Sequence, residues 1–137
     1  MLQQKAGVSA PWWVQLIVVA GAFLSAAGAT IALTRPTMLV GPNAEIGAVA
    51  HIFAGYFAAR SLTMAVVLLF LLALRALRAL GQILALVGLI QLVDAIMDIA
   101  EGRWTIIPGF LILGALFLLA APRLCGQPFW RRRAWLL

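Results

Sequence analysis

Apolar residues run almost unbroken through four stretches of the chain, and polar residues collect in the short gaps between them. The stretches cover about 12–33, 46–74, 80–100 and 104–121. Each is close to or longer than the roughly 20 residues that carry a helix across the hydrocarbon core of a bilayer. A spanning segment must satisfy its own backbone hydrogen bonds, so all four are predicted to be helices. The gaps are brief. Thr34-Arg35-Pro36-Thr37 opens the first, with Gly41-Pro42-Asn43 as a turn signal inside it. Arg75-Ala76-Leu77-Arg78, with Gly81 just beyond, is the hinge between spans two and three, and Glu101-Gly102-Arg103 joins spans three and four. Short links make consecutive helices antiparallel neighbours. The expected fold is all-α, an integral membrane four-helix antiparallel bundle forming a single domain over 1–137.

Composition agrees with lipid as the solvent. Of 137 residues, 65% are hydrophobic and 10% charged, with a mean hydropathy of +1.09, against about 25% charged in soluble domains. The first span has a basic residue ahead of it (Lys5) and small residues at Ala27-Gly28-Ala29, as a signal peptide would. Its apolar run is longer than the roughly 7–15 residues of a signal core, so a retained span is expected. The net charge of +6 does not point to nucleic acid, because no soluble segment interleaves basic and aromatic residues. It sorts by side instead. Lys5, Arg75, Arg78, Arg123, Arg131, Arg132 and Arg133 fall on one side of a four-span layout, and Arg35 and Arg103 on the other. The basic side is expected to be cytoplasmic, which places both termini there, in the cell membrane. The four acidic residues, Glu45, Asp94, Asp98 and Glu101, lie toward the opposite side.

The chemistry is concentrated in spans two and three. Arg60 lies deep in the second span, where a charge costs about 2.5–3.5 kcal/mol on insertion scales. In the third span Gln91, Asp94, Asp98 and Glu101 recur at spacings of 3, 4 and 3, which puts them on one helix face. Phe53, Tyr56, Arg60 and Thr63 share that spacing in the second span. A hinge centred on Leu77 makes Arg60 level with Asp94, Tyr56 with Asp98 and Thr63 with Gln91, whereas a centre at Ala79 makes Arg60 level with Asp98. The functional reading is an intramembrane pocket: Arg60 orients a polar group, Asp94 is its partner and a candidate general acid, and Asp98 stands beside it. Tyr56, Gln91, Glu101 and His51 are candidate binding residues. The structural alternative is an Arg–Asp clamp that fixes helix register without chemistry.

Other features read more plainly. His51, the sole histidine, is nine residues before Arg60 and about 180° around the helix, near the interface. It is expected to meet headgroups or water, with a proton-relay role as the alternative. No metal-ligand spacing occurs, and neither a metal nor a cofactor is called for. Cys125 is the only cysteine, which rules out an intrachain disulfide. Gly21, Ser25 and Gly28 form a small-residue face for close helix packing, with Ser25 bonded to its own backbone. The basic, aromatic segment from Pro128 to Leu137 is expected to anchor in the headgroup layer.

Two short motifs bring a resemblance. Gly55-Tyr56-Phe57-Ala58-Ala59-Arg60-Ser61-Leu62 resembles the Gly-x4-Arg region of small bacterial and fungal four-span proteins of unknown function. Gly88-Leu89-Ile90-Gln91-Leu92-Val93-Asp94 is similar to their second signature, which ends in Asp. The layout is also similar to DoxX-like four-helix membrane proteins. Some compact membrane proteins of this general type are isomerases or terpene cyclases, so the resemblance points toward an enzyme, while one acid, one Arg and one Tyr in the stripe suffice to bind, isomerise, cyclise or hydrate a lipophilic substrate. A small proton- or ion-coupled transporter or complex subunit is the second expectation. It would need a homodimer, since four spans are few for a transport path. A structural or assembly protein is the third. The expected partners are the lipid bilayer and a lipophilic small molecule.

Overall fold

A computed structural model describes residues 9–40, 45, 47–128 and 130–135. Lys5, the Gly41-Pro42-Asn43 turn signal and the start of the second span at Ile46 lie outside the described residues. Four long helices carry the chain: α1 (Trp12–Thr34), α3 (Ala48–Ala73), α4 (Leu77–Ala100) and α5 (Ile107–Cys125). A single-turn helix, α2 (Thr37–Val40), lies between α1 and α3, and a short 3-10 turn (Arg132–Ala134) follows α5. Each long helix has the length and apolarity to cross a membrane, which makes this a multi-pass membrane protein with an all-helical fold.

The helix ends follow from local chemistry. Gly102 has φ of 71° and closes α4 in a Schellman arrangement: its N–H donates to the Ile99 carbonyl at 3.1 Å, and the Arg103 N–H donates to the Asp98 carbonyl at 2.9 Å. The hinge after α3 uses the same bond pattern with Arg75 in the left-handed position, at φ of 54°. The break in the helix therefore lies at Leu74–Ala76, and Leu77 and Arg78 already belong to α4. The fourth span runs later than its apolar stretch suggests. It begins at Ile107 with Pro108 in its first turn, where no N–H is needed. It then passes through Pro122 to Cys125, because a proline in the last turn forfeits only one backbone bond. Gly126, at φ of 67°, ends it.

Packing between the helices is uneven. α4 lies closely on α5 and α1 on α3, whereas α3 meets α4 and α1 meets α5 only sparsely. The tight α4–α5 approach depends on missing side chains. A Cβ on Gly88 would sit 3.1 Å from the Gly114 carbonyl oxygen, and one on Gly114 would sit 3.1 Å from the Gly88 oxygen. Gly81 rests against Cys125 and the Ala121 carbonyl, and the Cys125 thiol lies 3.8 Å from the Arg78 carbonyl oxygen. The two helix pairs meet in an apolar core built from Val14 and Val18 of α1, Leu68 of α3, Leu80 and Leu84 of α4, and Phe117, Ala120 and Ala121 of α5. Those positions are the start of α1 and α4 and the end of α3 and α5, so the helices run up and down and the core closes the hinge end. Phe117 occupies the space that a side chain on Gly21 would take. Toward the other end the pairs part.

The small-residue face of α1 thus has two uses. Gly21 packs as expected. Gly28 has no atom within 4 Å of where its Cβ would lie, and both it and Ser25 border open space between the pairs. Thr30 and Thr34 donate to their own helix backbone, at 2.9 and 2.7 Å, whereas Ser25 makes no such bond.

Replacing Gly114 by Val is expected to force α4 from α5, because the opposing atom is backbone and cannot yield. The cost should be about 2–3 kcal/mol and appear as a lower melting temperature in detergent. Gly28→Ala should leave the melting temperature unchanged or raise it slightly, by about 0.5–1 kcal/mol.

Candidate functional site

The space between the helix pairs is a cleft in two adjoining chambers. The deep chamber, about 370 Å³, is bordered by Ser25 and Gly28 of α1, Ser61 and Met64 of α3, Gln91 of α4 and Leu113 of α5. The mouth chamber, about 360 Å³, is bordered by Pro36, Phe53, Ala54, Met97, Asp98 and Arg103. Phe57, Arg60, Asp94, Phe110, Leu39 and Ile106 belong to both walls. Volumes of this size lie at the small end of the range for small-molecule sites, and the lining is mostly apolar with few polar groups, as such sites usually are.

Arg60 and Asp94 form the divide. The Arg60 Nη2 donates to the Asp94 Oδ2 at 2.8 Å. This is the Leu77-centred register, and it ties α3 to α4 where backbone contact between them is sparse. The Arg60 guanidinium also lies over the Phe57 ring, 5.6 Å from its centroid, which adds a cation–π attraction on the same helix. Arg60 sits at the middle of α3, roughly 18 Å from its start at 1.5 Å per residue. Its side chain stays 41% exposed and borders both chambers.

The alternative register, Arg60 with Asp98, does not occur. Asp98 is buried and bonded to the Arg103 Nη2. Arg103 also reaches Glu101 at 2.9 Å, forming a three-membered cluster at the end of α4. The Schellman turn explains this: it folds the chain back so that the side chain of Arg103 returns over the helix it has just left. By position in the sequence Arg103 reads only as a loop charge. The signal was present in Asp98-Ile99-Ala100-Glu101-Gly102-Arg103, where a left-handed glycine precedes a cation and follows two carboxylates.

The remaining candidates divide. Gln91 is 9% exposed, borders the deep chamber, and its Oε1 is buried without a hydrogen-bond partner. Glu101 is drawn into the Arg103 cluster but is largely exposed. Tyr56 is 70% exposed and borders neither chamber, and Thr63 is likewise exposed. The reason is rotational. The buried positions of α3 are Ala58, Ser61, Ala65 and Leu68, and α1 is the helix packed most closely on it. Seating that small-residue face turns Phe57, Arg60, Ser61 and Met64 toward the cleft and leaves Tyr56 and Thr63 facing away. His51 is exposed in the first turn of α3, outside both chambers. Among the described residues, no three His, Cys, Asp or Glu side chains are grouped to hold a metal ion.

Arg60→Leu and Asp94→Leu are each expected to lower folded stability by about 3 kcal/mol, since each leaves an uncompensated charge within the span. The double variant should recover most of that loss in detergent melting curves. Additive losses would mean that the two residues are not coupled.

Compared with known protein families, curated proteins and solved structures, the chain matches none.

Proposed function

We propose that this multi-pass membrane protein binds a lipophilic small molecule in the cleft between its two helix pairs, with Arg60 and Asp94 meeting the polar part of the ligand. The observation that carries this reading is the position of the pair. The partly exposed, charged side chain of Arg60 stands at the junction of two largely apolar chambers at mid-span. A pure clamp needs contact between two helices but no space on either side of it. Here an apolar body fits the chambers while a polar atom reaches Arg60, whose planar fork retains free donors beyond the one bonded to Asp94. Asp94 is the group through which a proton would pass in an isomerisation, cyclisation or hydration of that ligand. The resemblance to small four-span and DoxX-like proteins agrees with such a role.

We also propose that both termini face the cytoplasm across the cell membrane. The basic residues Arg75, Arg78, Arg123 and Arg131–Arg133 lie with the hinge end of the bundle, and the cluster of Asp98, Glu101 and Arg103 lies at the other. Trp130 and Trp135 flank the basic C-terminal turn, as interfacial aromatics do.

Gly28→Phe tests the binding reading without touching a charge, since the new ring enters open space in the deep chamber. In nanodiscs, a hydrophobic diazirine probe should label Met64 and Phe110 saturably in the native protein and label outward-facing Val66 and Leu119 only in proportion to probe. Gly28→Phe should abolish the saturable labelling while keeping the melting temperature. Proportional labelling at all four positions would refute the reading. For orientation, in a Cys125→Ala background, Arg78→Cys should react with an impermeant thiol reagent only from the cytoplasmic side and Gly102→Cys only from the other. The reverse pattern would overturn the assignment.

A further inference from the structure

The polar groups of the deep chamber have an uneven inventory. Its charges cancel, because among the described residues Arg60 and Asp94 are its only ionisable lining groups and are bonded to each other. The mouth chamber adds Asp98 and Arg103, which also pair. An entering anion therefore finds no free cation among the lining residues. It would have to displace a carboxylate that Arg60 already holds, or lie beside it within lipid, where like charges repel strongly. A cation meets the converse obstacle at Arg60.

Uncharged polar groups fare differently. Ser25 on α1, Ser61 on α3, Gln91 on α4 and Thr105 ahead of α5 border the same chamber; among the described residues the Gln91 Oε1 is buried without a hydrogen-bond partner, and no side-chain bond is made by the three hydroxyls. Gln91 is nine-tenths buried. A polar side chain without a partner in such surroundings costs about 1–3 kcal/mol. The threonines of α1 avoid that cost by bonding to their own helix. A carboxamide with an unbonded oxygen and three hydroxyls around one cavity suit a site whose missing partner is the ligand. A hydroxyl and a carboxamide each donate and accept, so together they match a head group that does both.

Building on the ligand-binding reading above, we propose that the molecule bound in the deep chamber is an uncharged lipophilic alcohol or phenol, held by Gln91 with Ser61 and Ser25, and not a fatty acid, a phospholipid or a lipophilic amine. Gln91 is then the residue that selects the head group that Arg60 and Asp94 also meet, and the apolar walls formed by Met64, Phe110 and Leu113 hold the hydrocarbon.

Four probes with one hydrocarbon chain separate the possibilities: 1-dodecanol, dodecanoate, dodecylammonium and dodecane. Saturable binding of each to the full chain in nanodiscs is measured above that of protein-free discs. The alcohol is expected to bind about tenfold more tightly than each of the other three, the factor that corresponds to one net hydrogen bond. Gln91→Leu should remove that preference while keeping or raising the melting temperature, because it deletes an unsatisfied buried amide. A merely structural Gln91 would lower the melting temperature and leave the preference intact, which would overturn the assignment. Tighter binding of dodecanoate or dodecylammonium, or equal binding of all four, would overturn the neutral-head proposal and leave a lipophile-binding cleft standing. Saturable binding of none would refute both.

Discussion

A guanidinium at the middle of a lipid-spanning helix has no stable place without a counter-charge at its own depth, and this requirement organises the protein. Arg60 can be satisfied from α4 alone, since Asp94 and Asp98 are the only acidic residues within the spans. Because Asp98 is taken by Arg103, the partner is Asp94. That bond joins the two helix pairs at a level where their backbones stand apart. The apolar core around Phe117 joins them at the hinge end. Between and beyond these two ties the pairs are free to separate, and the cleft is the space that results.

The unequal spacing has a simple origin. Van der Waals contact is the main attraction between helices in lipid, and it grows as backbones approach. Gly81, Gly88 and Gly114 let α4 and α5 approach closely, and the small positions Ala58, Ser61 and Ala65 serve α3 in the same way. No comparable run of small residues faces from α3 to α4. Two well-packed pairs joined by one apolar core and one ion pair form a different object from a symmetric bundle. A symmetric bundle would fill its own centre, whereas this arrangement leaves room beside a charge.

The charges themselves are arranged so that the cleft is polar yet close to neutral. Two short bonded groups, Arg60 with Asp94 and Arg103 with Asp98 and Glu101, run from mid-span to the end of α4. Their mutual satisfaction lowers the cost of holding them in the membrane. If the cleft holds a ligand as proposed, specificity would rest on hydrogen-bond matching more than on attraction between opposite charges, because a buried polar group left unpaired discriminates strongly between ligands that can and cannot pair with it.

Much of the fold was legible in the residues alone. Four long apolar stretches and short polar links require four antiparallel helices, because lipid admits no other backbone solution for such segments. The Arg60–Asp94 level was also legible, as one of two registers, since a tight hinge makes depth a matter of counting residues. What counting could not supply was rotation about each helix axis. Tyr56 and Thr63 stand four before and three after Arg60, Phe57 and Met64 three before and four after, and only the seating of α3 on α1 decides which set faces inward. The return of Arg103 onto Asp98 likewise depends on a left-handed turn at Gly102. The deep chamber, with Ser25 and Gln91 facing one space, depends on which helix pairs pack closely and which part. Sequence determines how far along the membrane normal each side chain lies, because rise per residue is fixed. Only the packed tertiary structure decides which way it points and what empty volume it meets, because those follow from contacts among residues distant in the chain.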